Sequence, residues 1–343
     1  MRPPDGKPIA LLPMKHAGVT ITATGSYLPE RVLTNHDLEA LVETSDDWIR
    51  TRTGIRERRI AEENQPTSAL AAEAARAALE QAGLEAADMD LIMVATLSPD
   101  TPFPNTACHV QRILGADQAA CFSLEAACSG FVYGFEVASA LIRSGVHRRI
   151  LLIGAEKMSS LLNWEDRSTC VLFGDGAGAV ILSATQPEYD CFLASELGAD
   201  GRYSDLLRVP AGGSAMPVTH DIIDQQLHRL HMTGREVFKL AVTAMASAAE
   251  KALADAGVDR DDVRWLVPHQ ANTRIINAVG KRLEIPEERV FMNLQKYGNT
   301  SAATIPICLD EIARSGQVES GDRILMVAFG GGLTWGAGVL RWP

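Results

Sequence analysis

The chain has 343 residues, 46% of them hydrophobic and 22% charged, enough for two domains or one large α/β unit. Its formal charge of −11 argues against general nucleic-acid binding, and its longest apolar stretches are too short to cross a bilayer. The cysteines (Cys108, Cys121, Cys128, Cys170, Cys191 and Cys308) are scattered, with no C-x-x-C pair and no zinc spacing, which predicts no metal site and fits a reducing, cytoplasmic setting.

In chain order, residues 1–16 are Pro-rich and polar and read as a loosely attached N-terminal tail rather than a signal peptide. Trp48 is followed by Arg50, Arg52 and Arg56, an aromatic beside arginines that can stack a base and hold phosphates, although a solvated loop is the plainer reading. An apolar strand over 119–124 leads to Cys128, and a helical pattern over 131–143 leads away from it. That places a thiol at the start of a helix, where amide N–H groups favour thiolate.

The run Gly174-Asp175-Gly176-Ala177-Gly178 precedes a strand rather than a helix, so it predicts a tight, closely packed turn and not a dinucleotide loop. Arg235 and Lys239 are spaced for one helix face, with Arg274, Lys281 and Arg282 on another helix; they form either a docking patch for an acidic partner or a solvated face. His269 ends a strand over 265–267, and Asn299 precedes a helix over 301–313. Gly330-Gly331-Gly332 joins two strands in a turn whose exposed N–H groups can contribute to an oxyanion hole.

The sequence also repeats itself. A helix ending on Gly83, an acidic link and a buried strand recur at Gly257, 174 positions later. Arg149-Ile150-Leu151-Leu152 matches Arg323-Ile324-Leu325-Met326 at the same offset, and Arg143-Ser144-Gly145 matches Arg314-Ser315-Gly316 at 171. Such a long repeat predicts two duplicated α/β halves about a pseudo-twofold axis, residues 17–186 and 187–343. At an offset of 171, Cys128 corresponds to Asn299; at 174, Ala95 corresponds to His269. Cys128, His269 and Asn299 are thereby expected as neighbours.

Each has a bland reading: a packed thiol, a hydrogen-bonded loop histidine, a turn or N-cap asparagine. Together they supply a nucleophile suited to thioesters, a proton donor or acceptor, and N–H donors for a developing oxyanion.

The chain resembles the β-ketoacyl-acyl-carrier-protein synthase III family of the thiolase superfamily over nearly its whole length from about Val19. The resemblance rests on Gly25-Ser26-Tyr27-Leu28-Pro29, Thr44-Ser45-Asp46-Asp47-Trp48-Ile49, Thr51-Arg52-Thr53-Gly54-Ile55-Arg56, Ala126-Ala127-Cys128-Ser129-Gly130-Phe131, the glycine run 174–178, His269-Gln270-Ala271-Asn272, Tyr297-Gly298-Asn299-Thr300-Ser301 and Gly330-Gly331-Gly332-Leu333-Thr334-Trp335-Gly336. It implies a five-layered αβαβα thiolase-like fold, a homodimer, and condensation of an acyl-CoA primer such as acetyl-CoA with malonyl-ACP (acyl carrier protein). CoA would be a substrate, and no cofactor is implied.

By the same likeness Cys128 takes the acyl group, His269 and Asn299 promote decarboxylation, and the amides of Cys128 and Gly331 form the oxyanion hole. Thr44, Trp48, Arg52, Arg167, Gly234, Phe238 and Asn272 would hold CoA, Lys239 and Arg274 would face the carrier protein, and Phe103 and Phe329 would shape the acyl pocket. Residues 211–230 look longer than in the shortest family members and would border the CoA entrance. Alternative readings are a paralogue priming or acylating in a polyketide or quinolone pathway, and a cysteine thioester hydrolase.

Overall fold

The computed structural model describes residues 17–343; the tail expected over residues 1–16 lies outside them. Nine strands make the two main sheets: β1 (Gly18–Tyr27), β2 (Leu91–Ala95), β3 (Ala120–Leu124), β4 (Arg149–Lys157), β5 (Asp175–Thr185), β6 (Phe192–Ala199), β7 (Val263–Pro268), β8 (Arg323–Gly330) and β9 (Thr334–Arg341). Six helices pack on them: α1 (Thr67–Ala82), α2 (Thr106–Leu114), α3 (Gly130–Arg143), α4 (Gly234–Ala256), α5 (Thr273–Arg282) and α6 (Thr304–Arg314). No helix among the described residues is long and apolar enough to cross a membrane.

The first sheet has the order β1-β5-β4-β2-β3 and the second β6-β9-β8-β7. In both, the two strands nearest the first edge run antiparallel and the inner pair parallel: β2 pairs parallel with β4, and β7 with β8. The second sheet ends where the first has β3. There a single parallel bridge joins Leu266 to Val290, and Phe291 N donates to Leu266 O (2.9 Å). One topology has therefore been laid down twice, with its last strand worn to a bridge in the second copy.

Burial follows from sequence pattern. α1 and α4 are alanine-rich, which lets them lie close on the outer faces of their sheets, and both stop at a glycine in the left-handed region, Gly83 (φ 63°) and Gly257 (φ 62°). α3 buries Phe131, Val132, Phe135, Ala138 and Ile142, and α6 buries every residue from Thr304 to Asp310. A helix enclosed on all sides belongs in a protein centre. The two form the middle layer, and their side chains join those of both sheets in one core, with the Phe135 and Phe192 rings 4.8 Å apart. The order is helix, sheet, helix, sheet, helix: the thiolase fold. Cutting Phe135 to Ala would cost about 3–5 kcal/mol.

Two expectations change in detail. Gly176 and Gly178 lie inside β5 and not in a turn; a Cβ on Gly178 would sit 2.6 Å from Ile307 N, so the glycines let α6 press against the strand. The second change concerns the repeat. Short 3-10 turns, Ala127–Ser129 and Ser301–Ala303, feed α3 and α6, and Ala127 (φ 45°) and Ser301 (φ 50°) share the same left-handed backbone 174 positions apart. The counterpart of Cys128 is thus Ala302, with Asn299 three residues earlier. The reason is a shortening within the helix: α3 has 14 residues and α6 has 11, so the match at 171 holds only after it.

Candidate active site

Cys128 sits in the 3-10 turn just before α3 and is 6% exposed. β8 seats it: a Cβ on Gly330 would lie 2.6 Å from Cys128 N, so only glycine permits the contact. Helix-start N–H groups alone would favour thiolate. Burial outweighs them and pushes the thiol up to about 12, helped by the charges of Glu156 and Glu125 and opposed by the Ser301 hydroxyl. The resting side chain is a thiol.

His269 follows β7 and is 3% exposed. Its Nδ1 lies 2.7 Å from Thr304 Oγ1, and burial drops its pKa to about 3, so it is neutral at physiological pH. The Thr304 hydroxyl also reaches Ser301 O at 3.0 Å. That one proton sets the tautomer: given to Ser301 O, it makes Nδ1–H the donor to Thr304, and given to Nδ1, it leaves Nε2–H as a donor.

Asn299 is pinned by its own backbone. Its N–H donates to Leu172 O (2.9 Å), and its C=O accepts from Gly174 N (3.0 Å). Ser301 N donates to Asn299 Oδ1 (2.8 Å), which leaves the Nδ2 hydrogens for another acceptor.

One cavity of about 300 Å³ is lined by Cys128, His269, Asn299 and Phe329, so the three polar residues separated in sequence do meet. Trp48, Arg52, Gly234, Phe238 and Asn272 line the same cavity. Arg167 and Arg52 place their guanidinium carbons 4.7 and 5.8 Å from the Trp48 ring centre, a cationic clamp on an aromatic face. Asn272 caps α5 by accepting from Arg274 N (2.8 Å) and donates to Arg52 O (3.2 Å), so it also holds the last turn of the short helix Asp46–Thr53 that carries Trp48.

The remaining expected residues fall around this cavity. Arg167 does not line it but donates to Glu43 O (2.7 Å), and the hydroxyl of half-buried Thr44, just before the Trp48 helix, has no partner among the described residues. Lys239 and Arg274 are exposed. Gly331 lines a second cavity of about 300 Å³ that also reaches Cys128. Of the segment 211–230, Leu230 lines this second cavity and none lines the first, so the segment borders the far side of the sulfur rather than the Trp48 entrance. Phe103 lines neither cavity and is 88% exposed. Among the described residues, no cluster of His, Cys, Asp or Glu is arranged to hold a metal.

Sequence reasoning missed Glu156, Ser301 and Thr304. Glu156 is fully buried at the end of β4; its only signal is one acid closing the apolar run 150–155.

Two repeated α/β halves that bring a cysteine at a helix start together with a histidine and an asparagine in one cavity define a thiolase-fold enzyme. Residues 122–201 match the family model of 3-oxoacyl-(acyl-carrier-protein) synthase III, and residues 253–342 match that of its C-terminal part. The β-ketoacyl-(acyl-carrier-protein) synthase III of Caldanaerobacter subterraneus is 53% identical over 322 residues, 94% of this chain and 97% of that protein. The crystal structure of the 3-oxoacyl-(acyl-carrier-protein) synthase III of Aquifex aeolicus superposes with a TM-score of 0.87 at 49% identity, covering 95% of this chain and all of that one. A priming β-ketosynthase from a polyketide biosynthetic pathway superposes with a TM-score of 0.89 at 34% identity, covering 97% and 99%. The chain belongs to the 3-oxoacyl-(acyl-carrier-protein) synthase III family.

Proposed function

We propose that this enzyme performs a decarboxylative Claisen condensation between an acyl-CoA primer, acetyl-CoA first among them, and malonyl-ACP, giving a 3-oxoacyl-ACP that starts fatty-acid synthesis. The observation that carries this reading is the shared cavity: sulfur, imidazole and carboxamide inside, with Trp48 and Arg52 in its lining and Arg167 stacked on the same indole.

In the first half-reaction the CoA adenine and phosphates dock on Trp48, Arg52 and Arg167, with Asn272, Gly234, Phe238 and Thr44 around them. Cys128 attacks the thioester carbonyl and releases CoA. In the second, malonyl-ACP enters the emptied cavity, its carrier protein held by Lys239 and Arg274. CO2 leaves, and the charge left on the thioester oxygen is met by N–H donors of Asn299 and neutral His269. The carbanion attacks the acyl carbon, the oxyanion is held by the amides of Cys128 and Gly331, and the Cys128 thiolate is expelled. Each such donor contributes roughly 2.7–4 kcal/mol.

The working unit in this reading is a homodimer. Its support is the Phe103 ring, 88% exposed, in the same half as β3, whose outer edge pairs with no strand among the described residues. Phe103 would enter the partner's acyl pocket, opposite Phe329.

The test is a panel of acyl-CoAs. Intact-mass measurement should show an acyl adduct on Cys128, and added malonyl-ACP should convert it to 3-oxoacyl-ACP. Release of free acid with no carbon–carbon bond would replace this reading with a thioester hydrolase. The likeness to the polyketide-priming ketosynthase favours a second reading, priming of a secondary pathway; strong preference for a long or branched primer over acetyl-CoA would select it.

A further inference from the structure

The buried thiol of Cys128 needs a proton acceptor, and the condensation chemistry leaves two neighbouring side chains unused. Glu156 ends β4 with no exposed surface. Its carboxylate accepts from Thr96 Oγ1 (3.1 Å), Leu97 N (3.2 Å), Ser98 N (3.1 Å) and Ser98 Oγ (2.5 Å). Ser301 also has no exposed surface, and its Oγ makes no hydrogen bond of good geometry. The turn that carries this hydroxyl packs on both the Cys128 turn and β4, the strand that bears Glu156, and the hydroxyl lowers the pKa of both groups.

The turn that carries Ser301 is wedged in place. It packs on β4 and on the Cys128 turn, and a Cβ on Gly154 would lie 2.3 Å from Ala302 O. An unpaired buried hydroxyl and a left-handed non-glycine backbone each destabilise the fold. Both costs fall at one residue.

We propose that Ser301 and Glu156 relay the thiol proton of Cys128 during acyl transfer from CoA. The inference rests on the acyl-transfer reading above. The Cys128 S–H bond breaks, its proton passes to Ser301 Oγ, and the Ser301 proton passes to the Glu156 carboxylate. The sulfur lone pair forms the new C–S bond, and collapse of the intermediate breaks the C–S bond to CoA. The proton returns from Glu156 through Ser301 to the departing CoA sulfur. In this relay Ser301 takes the proton from the sulfur, and Glu156 acts through Ser301.

The neighbours support this division. His269 is held at a pKa of about 3 by burial, a weak base, whereas burial lifts Glu156 to about 7 against the hydrogen bonds of Ser98, Leu97, Ser301 and Thr96. The exposed Glu125 turns its carboxylate onto Ala127 N (2.7 Å). Asp175, on the adjacent strand, is occupied by Ser159 and by Ala61 N, and Lys157 by the carbonyls of Glu62, Glu63 and Gln65. Glu156 is the basic group that Ser301 connects to the sulfur.

Rapid-quench mass spectrometry of acyl-enzyme formation from acetyl-CoA, across pH 5.5–9, tests the relay in wild type, Ser301→Ala, Glu156→Gln and Glu156→Asp. Wild-type acylation should rise with pH through about 7, as Glu156 ionises. Ser301→Ala and Glu156→Gln should slow acylation about tenfold or more and move that rise to higher pH, with partial rescue in Glu156→Asp. Condensation from pre-formed acyl-enzyme, which carries no thiol proton, should stay within about twofold. Ser301→Ala leaves the loop held by Glu156 intact, so it decides the matter if Glu156→Gln misfolds. Unchanged acylation rate and pH profile in Ser301→Ala, or equal slowing of both half-reactions, overturns the relay. Failure of wild type itself to acylate overturns the acyl-transfer reading instead.

Discussion

The turns at Ala127–Ser129 and Ser301–Ala303 are the same piece of backbone used twice. Each begins on a left-handed non-glycine residue, feeds a central helix, and leans on a glycine of a central strand, Gly330 for one and Gly154 for the other. What differs is chemistry. The first turn carries Cys128; the second has Ala302 at that position and offers instead an amide that aims Asn299, a buried hydroxyl that lowers the pKa of the thiol, and a carbonyl that accepts from Thr304. Two converging helix starts share one backbone, and in the proposed reaction one is reactive and the other supportive.

The sharpest way to break that contrast is Cys128→Ala. It should leave the fold intact and abolish the acyl adduct, lowering turnover about ten-thousand-fold or more. A residual adduct at wild-type rate would move the nucleophile elsewhere. Next in size is Asn299→Ala. Acylation should survive, while decarboxylation of malonyl-ACP, followed as CO2 release, should fall roughly 100- to 1,000-fold. Normal CO2 release would remove Asn299 from its assigned role.

The paired glycines sharpen the comparison. Gly330→Ala sets a Cβ 2.6 Å from Cys128 N, and Gly154→Ala sets one 2.3 Å from Ala302 O. Each should cost about 1–3 kcal/mol in urea unfolding. Gly330→Ala should also slow acylation directly, because the atom displaced belongs to the nucleophile itself.

The smallest effect concerns pH. His269 has a folded pKa of about 3, below its ordinary value near 6.5, so the folded state resists its protonation. Stability should fall as pH drops from about 6.5 toward 3, by on the order of 1–2 kcal/mol at pH 5. His269→Gln should flatten that part of the profile in melting experiments. An unchanged acid slope would show that the imidazole protonates freely.

Much of this was legible in sequence because the signals are local. Gly83 and Gly257 cap equivalent helices, and Cys128, His269 and Asn299 each sit at the end of a readable strand or the start of a readable helix. The pairing of Cys128 with Asn299 came out three positions off because α6 is shorter than α3, and a length change inside a helix leaves no mark in composition. The state of the thiol was misread for a different reason. Helix-start N–H groups follow from position in the chain, whereas the depth that overrides them is a property of the packed whole. Glu156 was invisible because one acid after an apolar run looks like a strand meeting water, and only the turn at 301–303 shows that it meets none.

The enclosed α6 has a consequence for how the molecule comes into being. Asp310 accepts hydrogen bonds from Thr24 (2.8 Å) and Ser26 (2.6 Å) on β1, joining the first described strand to a helix that ends at residue 314. During translation the opening strand therefore waits for its permanent partner until nine-tenths of the polypeptide has emerged. The amino-terminal half cannot mature early as a separate unit: α3 covers only part of its inner surface, and the rest stays bare until the distal helix arrives. Ribosome-stalled fragments ending before residue 304 should accordingly remain protease-sensitive and lean on chaperones.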